Sequence, residues 1–163
     1  MPRPTTALFA LASMLVLTAP SFAQGTHPDF SGLWILDRAK SEAPALPPAA
    51  QLFVSQSDKL LSVEHTVSSS AGAAQTNRLV YHIDGSAAKN TTPVGNGASV
   101  EFNTTSEWNG KTLVLTTTSD FSGGLKQIER WTLSADGKQL TVLGDITLSG
   151  KTATAKMFYD KKS

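Results

Sequence analysis

Residues 99–118, SVEFNTTSEWNGKTLVLTTT, indicate the fold of this chain most directly. Two runs in which apolar and polar residues alternate, 99–108 and 111–118, flank the dipeptide Asn109-Gly110. Alternation with a period of two is typical of a β-strand with one buried face, and Asn-Gly is the strongest short signal for a two-residue hairpin turn. The stretch therefore predicts two antiparallel strands joined by a tight turn.

Similar alternating runs lie on both sides of this hairpin, and turn residues such as Asp84-Gly85 and Asp136-Gly137 separate them. The segment 38–49 contains three prolines and predicts a loop or arm, with one helical turn at 38–42. The connection 86–97 is rich in glycine and asparagine, with a short strand inside it as an alternative. The pattern predicts eight or nine strands, with almost no helix, at 32–37, 51–56, 59–67, 75–83, 99–108, 111–118, 125–133, 139–148 and 152–159.

An all-β meander of this length has two compact forms. It can close into an antiparallel up-and-down barrel of eight to ten strands, which removes the exposed edges, or fold into a two-layered β-sandwich. Short sequential turns favour the barrel, because sandwiches need longer crossing connections. A barrel of this size leaves room for one small ligand inside.

The N-terminal 23 residues predict export. Arg3 precedes an apolar run at 7–18, and Ser21-Phe22-Ala23 places small residues where a signal peptidase reads them. The run is shorter than the about 20 residues that span a bilayer. We therefore expect a signal peptide at 1–23, cleaved between Ala23 and Gln24, and one barrel domain at 24–163. The mature protein is expected in the periplasm or outside the cell, with no integral membrane segment.

Composition excludes several classes of function. The chain has no cysteine, so neither disulfides nor a thiolate metal site can form. Its 14 Lys and Arg residues, one of them Arg3 in the leader, nearly balance 13 Asp and Glu residues. A net charge near zero does not provide the basic surface that nucleic acid requires, so we predict no nucleic-acid partner. No phosphate loop, nucleophile elbow or paired catalytic carboxylates are present, and neither a cofactor nor an enzyme is predicted.

The first strand carries a resemblance to a known family. Phe30 and Trp34 share a face with Gly32 between them, and a glycine in a strand allows another group to approach closely. The triplet Gly32-Leu33-Trp34 resembles the Gly-x-Trp signature of lipocalins and their calycin relatives. The stretch 30–42, FSGLWILDRAKSE, together with WNGKTL at 108–113 and ERWTLSADGK at 129–138, resembles a set of uncharacterised secreted bacterial lipocalin-like proteins. This resemblance covers most of the mature chain.

The resemblance implies a calycin-like barrel whose cavity holds a small, largely apolar molecule. It also implies a cation stacked over Trp34, which in lipocalins is an arginine near the last strand. Here the last strand carries Lys156, Lys161 and Lys162 but no arginine. Arg130, two strands earlier, is the candidate substitute.

Strand alternation selects the candidate pocket residues. Glu129 shares a face with Trp131, so an inward tryptophan brings a carboxylate with it, unless a bulge turns Glu129 to solvent. His65 lies on an apolar face, where it is either a satisfied core residue or part of the site. A zinc site from His65, Glu129 and another group would need at least three convergent ligands, and no close-spaced pair supplies two of them, so no metal is predicted. The candidate ligand-binding residues are Trp34, His65, Tyr81, Phe102, Trp108, Glu129 and Trp131.

Three functions are compatible with these residues. The first is an exported binding module for a small hydrophobic or amphipathic molecule. The second is an envelope-associated interaction or inhibitor-like protein with a filled barrel core, which would act through the loops 38–49 and 84–97. The third is an enzyme, which requires Glu129 and His65 within hydrogen-bond reach in an open pocket. Interior volume distinguishes the first function from the second.

Overall fold

The computed structural model describes residues 27–69, 71–93 and 98–163. The predicted signal peptide lies outside the described residues. Within these ranges ten strands form one antiparallel sheet, and a single 3-10 turn lies at Phe121–Gly123. The strands are β1 (Gly32–Leu36), β2 (Ala49–Gln56), β3 (Leu60–Ser68), β4 (Ala74–His82), β5 (Ala88–Pro93), β6 (Ser99–Asn109), β7 (Thr112–Ser119), β8 (Leu125–Leu133), β9 (Gln139–Leu148) and β10 (Lys151–Lys161).

The sheet is an up-and-down barrel. Strands consecutive in the chain are neighbours everywhere except at β4 and β5, and β1 pairs with β10 to join the two ends of the chain. β4 and β5 are the two edges, and within the described residues no backbone ladder joins them. The prediction of an antiparallel up-and-down barrel of eight to ten strands is confirmed, and the sandwich is not formed.

The buried residues follow the alternation of apolar and polar residues in the sequence. Along β2, Ala50, Leu52 and Val54 are buried whereas Phe53 is 52% exposed. The predicted turn at Asn109-Gly110 joins β6 to β7, and Gly110 has a φ of 61°, the left-handed conformation that glycine adopts without strain.

Two segments have more structure than a loop. The short strand considered for 86–97 is β5. In the proline-containing segment, the Ser41 N–H donates to the Asp37 carbonyl at 3.1 Å, which forms one helical turn, and Glu42 makes an isolated bridge to Lys156 on β10. The segment is thus attached to the last strand through the backbone of Glu42. This residue precedes the prolines and keeps the N–H donor that a β-bridge requires.

The core is apolar around the first strand. Phe30 and Trp34 are fully buried, and the Trp34 indole N–H donates to the Phe30 carbonyl at 2.8 Å. Leu61, Leu113 and Leu140 are also fully buried and belong to the same cluster. A buried indole needs a partner for its N–H, and the local bond to Phe30 provides it.

Lys161 supplies the cation over Trp34. Its ammonium nitrogen lies 5.1 Å from the centroid of the ring, and its side chain crosses Gly32, where an added Cβ would come within 2.7 Å of the Lys161 Cε. Arg130 instead points outward and pairs with Asp145 at 2.9 Å. The assignment of Arg130 as the substitute cation is therefore wrong, because it alternates with the inward Trp131 and must face the other side of β8.

Candidate functional site

A cavity of about 250 Å³ lies between the inward-facing side chains of six strands, β3 to β8. Its wall contains more polar than apolar side chains, and among the residues that line it none is Lys or Arg. The lining residues are His65, Leu79, Tyr81, Asn90, Thr92, Phe102, Thr104, Thr117, Gln127 and Glu129.

Glu129 is the central polar group of this wall. β8 pairs without a bulge on both sides, with Glu129 opposite Leu115 of β7 and Gly144 of β9, so its side chain points into the barrel. One carboxylate oxygen accepts a bond from the Gln127 amide at 2.8 Å, and the other accepts one from the Trp131 indole at 3.4 Å. The alternative of a bulge that turns Glu129 to solvent does not occur.

Burial controls the protonation of the cavity groups. Removal from bulk water raises the pKa of Glu129, against the two N–H donors that favour its ionised form. Burial also raises the pKa of Tyr81 and of Tyr159, and the nearby Glu129 charge adds to both effects. Burial thus favours the neutral forms of both phenols and of the Glu129 carboxyl.

His65 is a polar group without a partner. Its Nε2 atom is buried and makes no hydrogen bond in the described part of the chain, and burial lowers the pKa of its ring. The His65 residue lines the cavity, and its Nε2 atom would accept a hydrogen bond from a ligand only after the ring turns toward it. No hydrogen bond joins His65 to Glu129 among the described residues, so the pair lacks the direct contact that the enzymatic hypothesis required.

The seven candidate residues fall into three places. His65, Tyr81, Phe102 and Glu129 line the cavity. Trp34 and Trp131 are buried in the apolar cluster, and Trp131 reaches the cavity group only through its bond to Glu129. Trp108 lies at a different, more open depression.

That depression measures about 330 Å³ and includes His27, Asp29 and Trp108. The His27 ring stacks on the Trp108 indole with centroids 4.2 Å apart. It is larger and somewhat more open than the interior cavity, and none of the described residues that line it carries an unpartnered buried side-chain atom. The interior cavity is the stronger candidate site, because polar groups removed from water converge there.

Strand alternation also indicates some of the cavity-lining residues that were not among the seven candidates. Thr104 shares its parity with Phe102, and Gln127 shares its parity with Glu129, so both were accessible from the same argument. The position of Asn90 on the cavity wall could not be predicted in this way, because the sequence around it is typical of a polar connection between strands.

Side chains close the seam between β4 and β5. The Asn90 amide on β5 accepts a bond from the Val80 N–H at 2.8 Å and donates to the Val80 carbonyl at 2.9 Å, as a paired backbone would. Nearby, the Ser106 hydroxyl donates to the His82 carbonyl at 2.5 Å, and the Trp108 indole donates to the Ile83 carbonyl at 3.2 Å. One side of the cavity is thus bounded by side-chain hydrogen bonds.

The described residues contain no group of three His, Asp or Glu side chains that could hold a metal ion. They also contain no helix long and apolar enough to cross a bilayer.

No protein-family model matches this chain, and no curated protein matches it. Among solved structures it is similar to the zebrafish ileal bile acid-binding protein complexed with cholic acid, with 15% sequence identity and a TM-score of 0.48. The similarity covers 82% of this chain and 98% of that chain. Identity and superposition are both too low to indicate the ligand of this chain.

Proposed function

We propose that the protein is exported to the periplasm or the cell exterior and binds a small hydrophobic or amphipathic molecule inside its barrel. The observation that carries the proposal is the cavity of about 250 Å³ walled by polar groups. At roughly 30 Å³ per water, it has room for about eight waters or one compact organic molecule.

Two polar groups of the wall, Glu129 and His65, are costly to bury. A buried carboxyl and an unpartnered imidazole nitrogen both cost free energy of folding, and apolar residues of similar volume would often be neutral or stabilising in their place. A ligand that bonds to them offsets this cost in the bound state. The unfilled volume favours this function over a protein partner that binds outside a filled core.

Binding, and not catalysis, is the function that these contacts favour. Glu129 is held by Gln127 and Trp131, and among the described residues His65 makes no hydrogen bond to it. The wall is suited to recognition by hydrogen bonds.

Calorimetric titration with three single-ring probes, 2-phenylethylamine, 2-phenylethanol and phenylacetate, tests binding, together with native mass spectrometry of protein recovered after export. We expect a co-purifying adduct or saturable one-to-one binding of at least one probe. Thr117→Phe fills the cavity from β7 and should abolish binding. Thr116→Phe, on the outer face of the same strand, is its control and should retain it. The absence of any adduct and of any probe binding would overturn the proposal.

A further inference from the structure

We infer that the ligand is a compact amine, held by an ion pair between its ammonium group and the Glu129 carboxylate. This inference rests on the proposed binding function and specifies the chemical class of the ligand. It follows from three features of the cavity wall: its charge, the donors on Glu129 and the free acceptor on His65.

The wall offers no positive charge to an anionic ligand. Among the described residues that line the cavity none is Lys or Arg, and Glu129 is the one carboxyl group. A carboxylate or phosphate ligand would therefore be buried without a compensating cation, which is strongly unfavourable in a low-dielectric site, and the ionised form of Glu129 would repel it. A cationic ligand is instead attracted by the ionised form of Glu129.

The donors on Glu129 match its ionised form. Gln127 and Trp131 each give one N–H to a different carboxylate oxygen, at 2.8 and 3.4 Å. A carboxylate that accepts such bonds on both oxygens is stabilised as an anion and keeps lone pairs free for further donors. In the free protein, burial disfavours the negative charge of Glu129. A bound cation would provide the positive charge that stabilises the carboxylate.

His65 supplies a second acceptor once its Nε2 atom turns toward the ligand. An ammonium group has three donors and no acceptor, and a neutral imidazole with its proton on Nδ1 accepts at Nε2. In the free protein the Nε2 atom has no partner and is covered by protein atoms, while the His65 residue lines the cavity. An alcohol would also bond to these groups, but it carries no charge that stabilises the ionised form of Glu129.

Binding is coupled to a proton. Burial keeps Glu129 protonated over a wider range than in water, so a protonated amine that forms the ion pair displaces the carboxyl proton to solvent. The other titratable groups facing Glu129 are His65 on β3, Tyr81 on β4 and Tyr159 on β10. The residues paired with it, Leu115 on β7 and Gly144 on β9, do not titrate. Amine affinity should therefore rise with pH through the pKa of Glu129.

The probe series tests this directly, because 2-phenylethylamine and 2-phenylethanol are nearly isosteric and phenylacetate carries the opposite charge. We expect the amine to bind at least tenfold more tightly than the alcohol at about pH 7.5, and phenylacetate not to bind. Calorimetry in buffers of different ionisation enthalpy should detect proton release on amine binding, and the number of protons released should fall as pH rises through the pKa of Glu129. Glu129→Gln should remove the amine preference and retain alcohol binding, whereas Glu107→Gln on the outer face of β6 should change neither.

The free protein gives an independent check that Glu129→Gln folds. Because the folded pKa of Glu129 lies above its ordinary value of 4.5, the protonated form favours folding. That stabilisation is complete below the unfolded pKa and is lost as pH rises through the folded pKa. The variant should lack this decline in the free energy of unfolding.

Equal affinity for amine and alcohol, unaffected by Glu129→Gln, would overturn the amine assignment and leave the binding function standing. Failure of all three probes together with the absence of any adduct would instead remove the binding function itself.

Discussion

β7 and β8 each run from an apolar layer of the interior to a polar one. At one end Leu113 pairs with Trp131, and both are buried in the apolar cluster. Four residues further along β7, Thr117 pairs with Gln127, and both line the cavity. Leu113, Trp131 and Trp34 belong to what we call the apolar layer, and the cavity-lining side chains form the polar layer. The same two strands thus serve stability at one end and recognition at the other.

The two layers are also closed differently. Beside the apolar layer, β1 joins β10 through a backbone ladder, with Trp34 opposite Lys161. Beside the polar layer, β4 and β5 are joined through the Asn90 side chain. The core side of the barrel is therefore closed by a backbone ladder, and the cavity side by side-chain hydrogen bonds.

The largest effect is expected in the apolar layer. Trp34→Ala removes a side chain that is 0% exposed and leaves a cavity beside Phe30, so it should lower the free energy of unfolding by about 3–5 kcal/mol. Urea denaturation measures this. Phe53→Ala, on the exposed face of β2, should change stability by less than about 0.5 kcal/mol. Similar losses for the two variants would show that Trp34 is not central to the core.

A smaller effect is expected at the side-chain seam. Asn90→Ala leaves the Val80 N–H and carbonyl without their partner, which should cost about 1–3 kcal/mol. Hydrogen exchange at the Val80 amide should accelerate more than exchange along the β1–β10 ladder.

Asn103→Ala is the matched control for this seam, because Asn103 is exposed on the neighbouring strand β6. If both asparagine variants left the Val80 amide equally protected, backbone contacts rather than Asn90 would hold the two edges together.

Alternation predicted which face of each strand is buried but not how deep a residue lies. Phe102 and Trp108 have the same parity on β6, yet six residues at about 3.3 Å each separate them by roughly 20 Å. One therefore lines the cavity and the other lies at the open depression. The position of a side chain along the barrel axis depends on how all the strands are aligned with one another, and the sequence of one strand does not specify this alignment.

Local sequence also left Glu129 undecided. Its parity with Trp131 predicted an inward side chain, whereas the cost of burying a carboxyl favoured a bulge. The regular pairing of β8 decides this, and the donors from Gln127 and Trp131 reduce the cost. Asn90 was missed for a different reason: its polar neighbours resemble a loop, and its role arises only when β4 is beside it.

The smallest effect tests the cation above the apolar layer. Lys161→Met keeps an unbranched side chain across Gly32 but removes the ammonium group that lies 5.1 Å from the Trp34 centroid. A cation–π contact at an exposed site contributes about 0.5–1 kcal/mol, so the free energy of unfolding should fall by that amount. Lys162→Met, one residue further on, should have no measurable effect. Equal behaviour of the two variants in urea would mean that Lys161 acts only by packing over Gly32. A selective loss would show that the charge of Lys161 stabilises Trp34.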